Sequence, residues 1–342
     1  MSAFAHTEPG TRWPVATVTT TASQEGSGWT ITGVKNPVLQ GDSAHVVIVS
    51  AALPGGGTGL FLVDAESAGV SRSTYATHDG RRGAQFTFTD AAAEPLGEGG
   101  DVTAAIVEAE VRAQAALCAE SIGIMTEALR LTTEYLKQRK QFGVPLAKFQ
   151  TLTHRAADMY VALELASSMS LYATMAIADG VIDPTIASRA KLSVGRAAHQ
   201  IGQEAIQMHG GIGMTAEYPV GHYVSRLVAI EHTLGASDDH LRVLAAGVSV
   251  GTAATAVADG STVDITMTDI AYDAAAVQVP KGSTVEFRFT NDGKVPHDAF
   301  VGDQAAQALD VVLQRLHALE IAQEVFDVGL VNAAMIAAMR LE

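Results

Sequence analysis

The period of the apolar residues changes once along this chain, near residue 100, and that change limits the fold more than any other feature. Before it, Trp29 and Ile31 alternate with Thr30 and Thr32, and Phe86 and Phe88 with Thr87 and Thr89. A period of two marks strands with one buried face. His45–Val49 and Leu60–Val63 are short continuous apolar runs of strand length. Turn formers separate these segments at Gly26-Ser27-Gly28, Pro54–Gly57 and Asp79-Gly80. Short strands between glycine-rich turns predict a small sandwich or barrel rather than a βαβ unit. Gly55-Gly56-Gly57 opens no helix and reads as a loop tip, not a phosphate cradle.

From about 102 to 247 the period becomes helical. Val107, Val111, Cys118, Ile122, Met125, Leu129 and Leu136 fall three, four or seven apart, and Phe149, Leu152, Ala156, Met159, Leu163, Ala166 and Met169 continue the stripe. Between the two, Arg139 and Lys140 complement the dipole at a helix end, and Gly143 followed by Pro145 stops the chain and restarts it. Asp183-Pro184 supplies an N-cap and a first-turn proline for a third helix ending at Gly210-Gly211. A fourth follows Pro219, and Ser237-Asp238-Asp239 starts a further one. Long helices with short links predict an antiparallel four-helix bundle. Beyond 248 the composition turns to Gly, Ala, Ser and Thr, as in a linker. Val263, Ile265 and Met267, then Val285, Phe287 and Phe289, alternate like strands, and 304–342 is helical in pattern, with Leu309, Val312, Leu313 and Leu316. The expected fold is α+β and multidomain: a β-domain over 1–100, a helical bundle over 101–247, a linker over 248–262, a β segment over 263–303 and a helical tail.

A length of 342 residues allows two or three domains. A net charge of −15 argues against nucleic-acid and anionic-membrane partners, which need concentrated Lys and Arg. The single cysteine, Cys118, permits no intrachain disulfide and fits a reducing cytoplasm. No signal pattern opens the sequence and no run reaches the ~18 apolar residues of a membrane span, so a cytoplasmic protein without a membrane partner is expected. His209 lacks a metal-type partner at helical spacing and reads as structural; no metal site is expected.

Three motifs carry more than periodicity. Arg139–Gln150 reads RKQFG-x-P-x-x-x-F-Q; Gln207–Val220 holds Q-x-x-GG-x-G followed by EYPV; and Ala3–Arg12, AFAHTEPGTR, leads into GWTITGVKNPVLQGDSAHVVIVSA and GLFLVDAESAGV. Together they resemble the acyl-CoA dehydrogenase family, flavoenzymes that oxidise acyl thioesters between Cα and Cβ. The resemblance implies that Arg139, Gln141, Phe142 and Gln150 contact FAD across a subunit interface. It also implies that Gln207, Gly210 and Gly211 approach the adenosine and pyrophosphate of a neighbouring subunit's FAD, and that Phe4 and Thr7 border the flavin. Pro37 stands where the family often carries an aromatic residue against that ring. An acyl-CoA substrate, a homo- or hetero-oligomer (dimer or tetramer), and an acceptor such as an electron-transfer flavoprotein are implied likewise.

The chain also departs from the family. Aligning EYPV without gaps puts Gly235 on the glycine of the family's catalytic Glu-Gly pair, so Leu234 occupies the carboxylate's place, and leucine takes no proton. No catalytic residue is assigned; Glu231, Asp238, and Glu110 or Glu120 on the first helix remain open. The resemblance begins almost at residue 1, whereas family members carry a helical domain before this point, so that wall of the acyl pocket is expected to be missing. GQEAIQMHGGIGMTAEYPVGHYVSRL and GASDDHLRVLA resemble the small-subunit branch, the pimeloyl-CoA dehydrogenase small subunits, which work beside a large subunit. The expected function is FAD-dependent acyl-CoA dehydrogenation as such a subunit, with poor turnover by the chain alone. The alternatives are a non-catalytic flavin-binding partner and an inert truncated or fused fragment. The stretch from Ser261 to Asp303 resembles the first half of a cupredoxin, with His297 at a copper-ligand position. No cysteine or second histidine follows in that context, so copper is not expected.

Overall fold

The computed structural model describes residues 1–14, 17–26, 28–246, 255–256, 259–268, 271–272, 277–278 and 285–292. The chain divides into two compact units, Met1–Val248 and Ser249–Glu342. In the first, seven strands precede five helices.

The strands are β1 (Ser2–Ala5), β2 (Thr21–Glu25), β3 (Gly28–Leu39), β4 (Val46–Ala52), β5 (Thr58–Asp64), β6 (Val70–Ala76) and β7 (Arg82–Pro95). Hydrogen bonding runs β4-β2-β3-β7-β5 and returns from β5 to β4, closing a barrel; β1 extends it beside β4 and β6 beside β7. The closure at β2 and β4 is brief, one parallel pair between Thr21 and Ala52 plus the Ala52 amide donating to the Thr20 carbonyl at 2.8 Å. Closure removes exposed sheet edges and gives the alternating residues one interior. Ile31, Val47, Val49, Phe61, Val63, Phe86 and Phe88 fill it. The expectation of a sandwich or a barrel thus resolves as a barrel.

The helices are α1 (Thr103–Gln138), α2 (Gln150–Ala178), α3 (Pro184–His209), α4 (Pro219–Glu231) and α5 (Ser237–Ala246). The α1 stripe packs Cys118, Met125, Leu129 and Leu136 against Met159 and Leu163 of α2 and Val194 and Ile201 of α3. Val107, read as part of that stripe, is instead exposed. Helix α3 starts as its sequence dictates, with Asp183 Oδ1 accepting the Thr185 amide at 2.7 Å and Pro184 in the first turn. Helix α2 differs from the expectation: it buries Met159, Leu163, Ala166, Ser170 and Ala173, while much of its apolar surface stays outside. It is also the one helix among the described residues long and apolar enough by composition to cross a membrane.

One ion-pair network crosses from barrel to helices. Arg226 of α4 donates through Nε and Nη2 to the two oxygens of Glu120 on α1, each at 2.7 Å, and through Nη1 to Asp79, between β6 and β7, at 2.8 Å. A planar guanidinium can hold two carboxylates in this way because its fork presents separate pairs of donors.

In the second unit, β10 (Thr255–Ala256) pairs parallel with β13 (Val277–Gln278), and β11 (Thr262–Thr268) lies between β12 (Ala271–Tyr272) and β14 (Glu286–Asn291). Strands β11 and β14 run parallel, placing Val263 opposite Phe287 and Ile265 opposite Phe289. Thr255–Ala256 is thus strand inside the expected linker. His297 and the expected helical tail, 304–342, lie outside the described residues.

Candidate functional site

The residues singled out for the flavin come from three stretches of the chain, the end of α1, the end of α3 and the barrel segment that carries Phe4 and Thr7. The first is the end of α1. After Gln138 the chain makes a hairpin of β8 (Lys140–Gln141) against β9 (Val144–Pro145), and the Leu146 amide donates to the Arg139 carbonyl at 2.8 Å. The tip puts Phe142 in the left-handed region, φ 54°, with its ring 92% exposed and edge-on to Phe149 at 6.2 Å. Arg139, Lys140, Gln141 and Gln150 are exposed, and neither Arg139 nor Lys140 has an ion-pair partner among the described residues.

The end of α3 lies against the last turn of α1, where His209 meets Tyr135. His209 is buried, donates through Nδ1 to the Ala205 carbonyl at 2.8 Å, and packs its ring on Tyr135 and Tyr218 at 4.7 and 5.0 Å. That makes it a structural histidine, whose burial keeps its pKa below the ordinary value. Gly210 then turns the chain with φ 67°, and Gln207, Gly210 and Gly211 are exposed. A free guanidinium, a bare aromatic ring and an open glycine turn fit a ligand carrying phosphate and a flat ring.

Phe4 and Thr7 lie elsewhere, at the barrel. Phe4 is exposed and stacks on His6 at 5.7 Å, and the Thr7 carbonyl accepts the Asn36 amide at 2.9 Å. The segment carrying them is anchored by Lys35, which is fully buried. Its ammonium donates to Glu8 Oε1 at 2.8 Å, Ser50 Oγ at 3.0 Å and the His6 carbonyl at 3.1 Å. Those three bonds use all of its protons, so the Ser50 hydroxyl proton is left for His6 Nδ1, 2.8 Å away. His6 is then protonated on Nε2, which faces Glu110 Oε1 of α1 at 3.8 Å. Burial and the neighbouring Lys35 hold His6 down to about 4, so it is neutral at pH 7. Glu8 feels burial pushing it up, yet Lys35, Thr19 and Thr20 outweigh that and hold it at about 2.

Glu110 is met by a second donor, Trp13 Nε1 at 3.3 Å, and burial raises its pKa. The Trp13 indole packs on His240 of α5 at 4.1 Å between ring centroids. Leu234, expected in the carboxylate's place, holds a left-handed φ of 55° just before Gly235. Its carbonyl accepts from Gln114 Nε2 and His240 Nε2, each at 3.1 Å. Of the other carboxylates considered, Glu231 Oε1 accepts the Ser237 amide at 2.6 Å and Glu120 belongs to the Arg226 network. At the Arg226–Asp79 pair, a cleft of about 350 Å³ between barrel and helices is lined by Pro37, Leu39, Leu117, Val228, Ala229 and Thr233, among others. Sequence reading passed over His6, Trp13, Gln114 and His240. The indole N–H and the carboxylate it meets are 97 residues apart, so no spacing rule could have joined them.

The two groups are held apart by α1. His6 and Trp13 touch it at Glu110, the hairpin leaves it at Arg139, and at about 1.5 Å per residue the helix between them is about 40 Å long. One extended dinucleotide does not reach both within one chain.

Comparison with known proteins agrees with the motifs. Residues 3–91 match the family described as acyl-CoA dehydrogenase, middle domain, and residues 105–249 the acyl-CoA dehydrogenase, C-terminal domain; together they cover more than half of the chain. The human mitochondrial short-chain specific acyl-CoA dehydrogenase is 31% identical over 231 residues, 64% of this chain and 56% of that protein. The acyl-CoA dehydrogenase IpdE2 of Mycobacterium tuberculosis is 42% identical over 110 residues, 32% of this chain and 33% of its own length. Among solved structures, the Tcur3481-Tcur3483 steroid ACAD superposes with a TM-score of 0.65 at 33% identity, covering 72% of this chain and 66% of that one. The ChsE4-ChsE5 complex of M. tuberculosis shares the fold, with a TM-score of 0.66 at 24% identity over 74% of this chain and 67% of that one. The chain spans little more than half the length of the human relative. With barrel, helices and motifs in agreement, the chain belongs to the acyl-CoA dehydrogenase family.

Proposed function

We propose that the chain is a FAD-dependent acyl-CoA dehydrogenase subunit whose flavin site is shared between two chains. The observation that carries this is the separation of the flavin residues into a barrel group (Phe4, Thr7) and a helix-end group (Arg139, Gln141, Phe142, Gln150, Gln207, Gly210, Gly211), about 40 Å apart along α1. Each group is half a site, and a second chain completes it. When bound, the flavin accepts hydride from Cβ of the acyl thioester. Arg139 binds the pyrophosphate by paired charge-assisted hydrogen bonds, and Phe142 offers a ring face at the same edge. The barrel group fixes the ring end, and the Lys35–Glu8 pair holds the barrel segment that carries it.

The outer side of α2 supports an oligomer. Tyr160, Val161, Leu165, Leu171, Tyr172 and Met175 are 48–60% exposed, more large apolar surface than one helix ordinarily leaves in water. In this reading the helices form the antiparallel bundle through which chains associate. Leu234 brings no carboxylate, and a relative solved as a ChsE4-ChsE5 complex combines two different chains. Both favour an unlike, larger partner that supplies the proton acceptor, with electrons passing on to an electron-transfer flavoprotein.

The test is flavin content by absorbance of the purified assembly and of Arg139→Ala. Arg139→Ala should lose most of the flavin while its oligomeric state is unchanged. Full flavin in the variant contradicts the assignment.

A further inference from the structure

The segment Arg12–Trp13 is fastened more firmly than a loop over a ligand site needs to be. Arg12 Nε pairs with Asp239 Oδ1 at 2.9 Å, and Arg242 Nη2 donates to the Trp13 carbonyl at 3.1 Å and to Asp239 Oδ1 at 3.1 Å. The indole N–H is fixed to Glu110, and the ring packs on His240 at a tilt of 41°. Its six-membered ring faces the turn after Leu234. A Cβ added to Gly235 would stand 2.6 Å from Trp13 Cε3 and 2.7 Å from His240 Nε2, so the indole lies in van der Waals contact with the glycine backbone. Gly235 has φ 95°, a conformation suited to glycine. The space in front of the turn is filled by a side chain held from α1 and α5.

We propose that Trp13 is the stopper of this chain's own thioester crevice: its indole occupies the space against Gly235 that an acyl-CoA thioester would enter, and turnover in the assembly falls to the partner's site. This rests on the reading above, in which the Leu234–Gly235 turn borders the reacting carbons. Two independent features agree with it. The turn brings leucine rather than a proton acceptor, and Gln114 and His240 both bond the Leu234 carbonyl, drawing the turn toward α1 and α5. A site without a base loses nothing by being closed. Closing it keeps the thioester from binding where it cannot react.

Opening the crevice requires breaking the Trp13–Glu110 hydrogen bond and separating the Trp13 ring from His240. A ligand that binds only the open form has its affinity reduced by the open fraction. With the open form at or below about one tenth, Trp13→Ala tightens binding about tenfold or more.

The experiment is calorimetric titration of the full-length assembly with pivaloyl-CoA, a thioester that has no Cα hydrogen to lose, with flavin content measured on the same samples. Wild type and Trp13→Phe should bind weakly per copy of this chain, and Trp13→Ala about tenfold tighter or more. Equal or weaker binding by Trp13→Ala in a flavin-containing assembly overturns the stopper and leaves the dehydrogenase reading intact. Wild-type protein without flavin overturns that reading and the stopper with it. Arg242→Ala, which frees the Trp13 carbonyl and removes one of the partners of Asp239, gives a second variant that should tighten binding in the same direction. The sequence has two tryptophans, so in a Trp29→Phe background the emission reports Trp13 alone. Saturating thioester should shift that emission, and binding without a shift refutes the proposal.

Discussion

Replacing Lys35 by Met tests the anchor of the segment that carries Thr7 and Trp13. The methionine keeps most of the apolar stem and removes the ammonium. In the wild type, Lys35 is fully buried and Glu8 is 2% exposed, and three bonds of 2.8–3.1 Å spend every proton of the amine. Breaking a buried pair by removing one partner costs about 3–5 kcal/mol, because the other charge stays in a poor solvent. The Glu8 pKa gives a second figure. It is lowered from 4.5 to about 2, which corresponds to about 3 kcal/mol. A carboxyl depressed in the folded state stabilises fully above its unfolded pKa, and that contribution is lost as pH falls from about 4.5 to about 2. Wild type should therefore lose about 3 kcal/mol over that window, while Lys35→Met starts lower at pH 7 and loses less on acidification. The assay is urea unfolding at pH 7 and pH 3, followed by Trp29, whose ring packs on Phe61 at 5.1 Å inside the barrel. Glu8→Gln with Lys35→Met should recover part of the loss. A Lys35→Met protein within about 1 kcal/mol of wild type at pH 7 refutes the reasoning.

Two further outcomes follow from the caps and ion pairs. Asp183→Ala leaves the Thr185 amide without its acceptor and should cost about 1 kcal/mol, read as a lower melting temperature by circular dichroism. Arg226→Ala strips Glu120 of two charge-assisted hydrogen bonds and the buried Asp79 of one, at about 1.5–3 kcal/mol each at most. It should open the barrel–helix junction to limited proteolysis well before either part melts; unchanged cleavage counts against that network as the tie.

Elements whose burial follows a clean period were legible from sequence. Phe86 and Phe88 alternate in β7 because the barrel has one inside, and α3 begins at Asp183-Pro184 because capping and proline geometry are local. The misses have physical causes too. Strand β6, VSRSTYA, has no fully buried residue, so it shows no alternation of apolar burial. Strand β1 is four small or exposed residues whose place is fixed by pairing with β4, more than forty residues on. In α2 apolar residues face several directions, so the stripe drawn through Phe149, Leu152 and Met169 could not be told from the face that is buried, which continues to Ser170 and Ala173. The motifs that the resemblance links to flavin stand out residue by residue, but their division into two distant groups required the length of α1. The Trp13–Glu110–His6 junction and its contact with Gly235 depend on tertiary closure that no local pattern encodes.

The most direct test of a flavin site shared between chains is where the flavin travels when the assembly is diluted. Sedimentation velocity, recorded at the flavin and protein absorbances together, separates monomer from oligomer in one run. The account predicts that flavin sediments only with the oligomer and that monomer carries none. Monomer that keeps its full complement of flavin contradicts it.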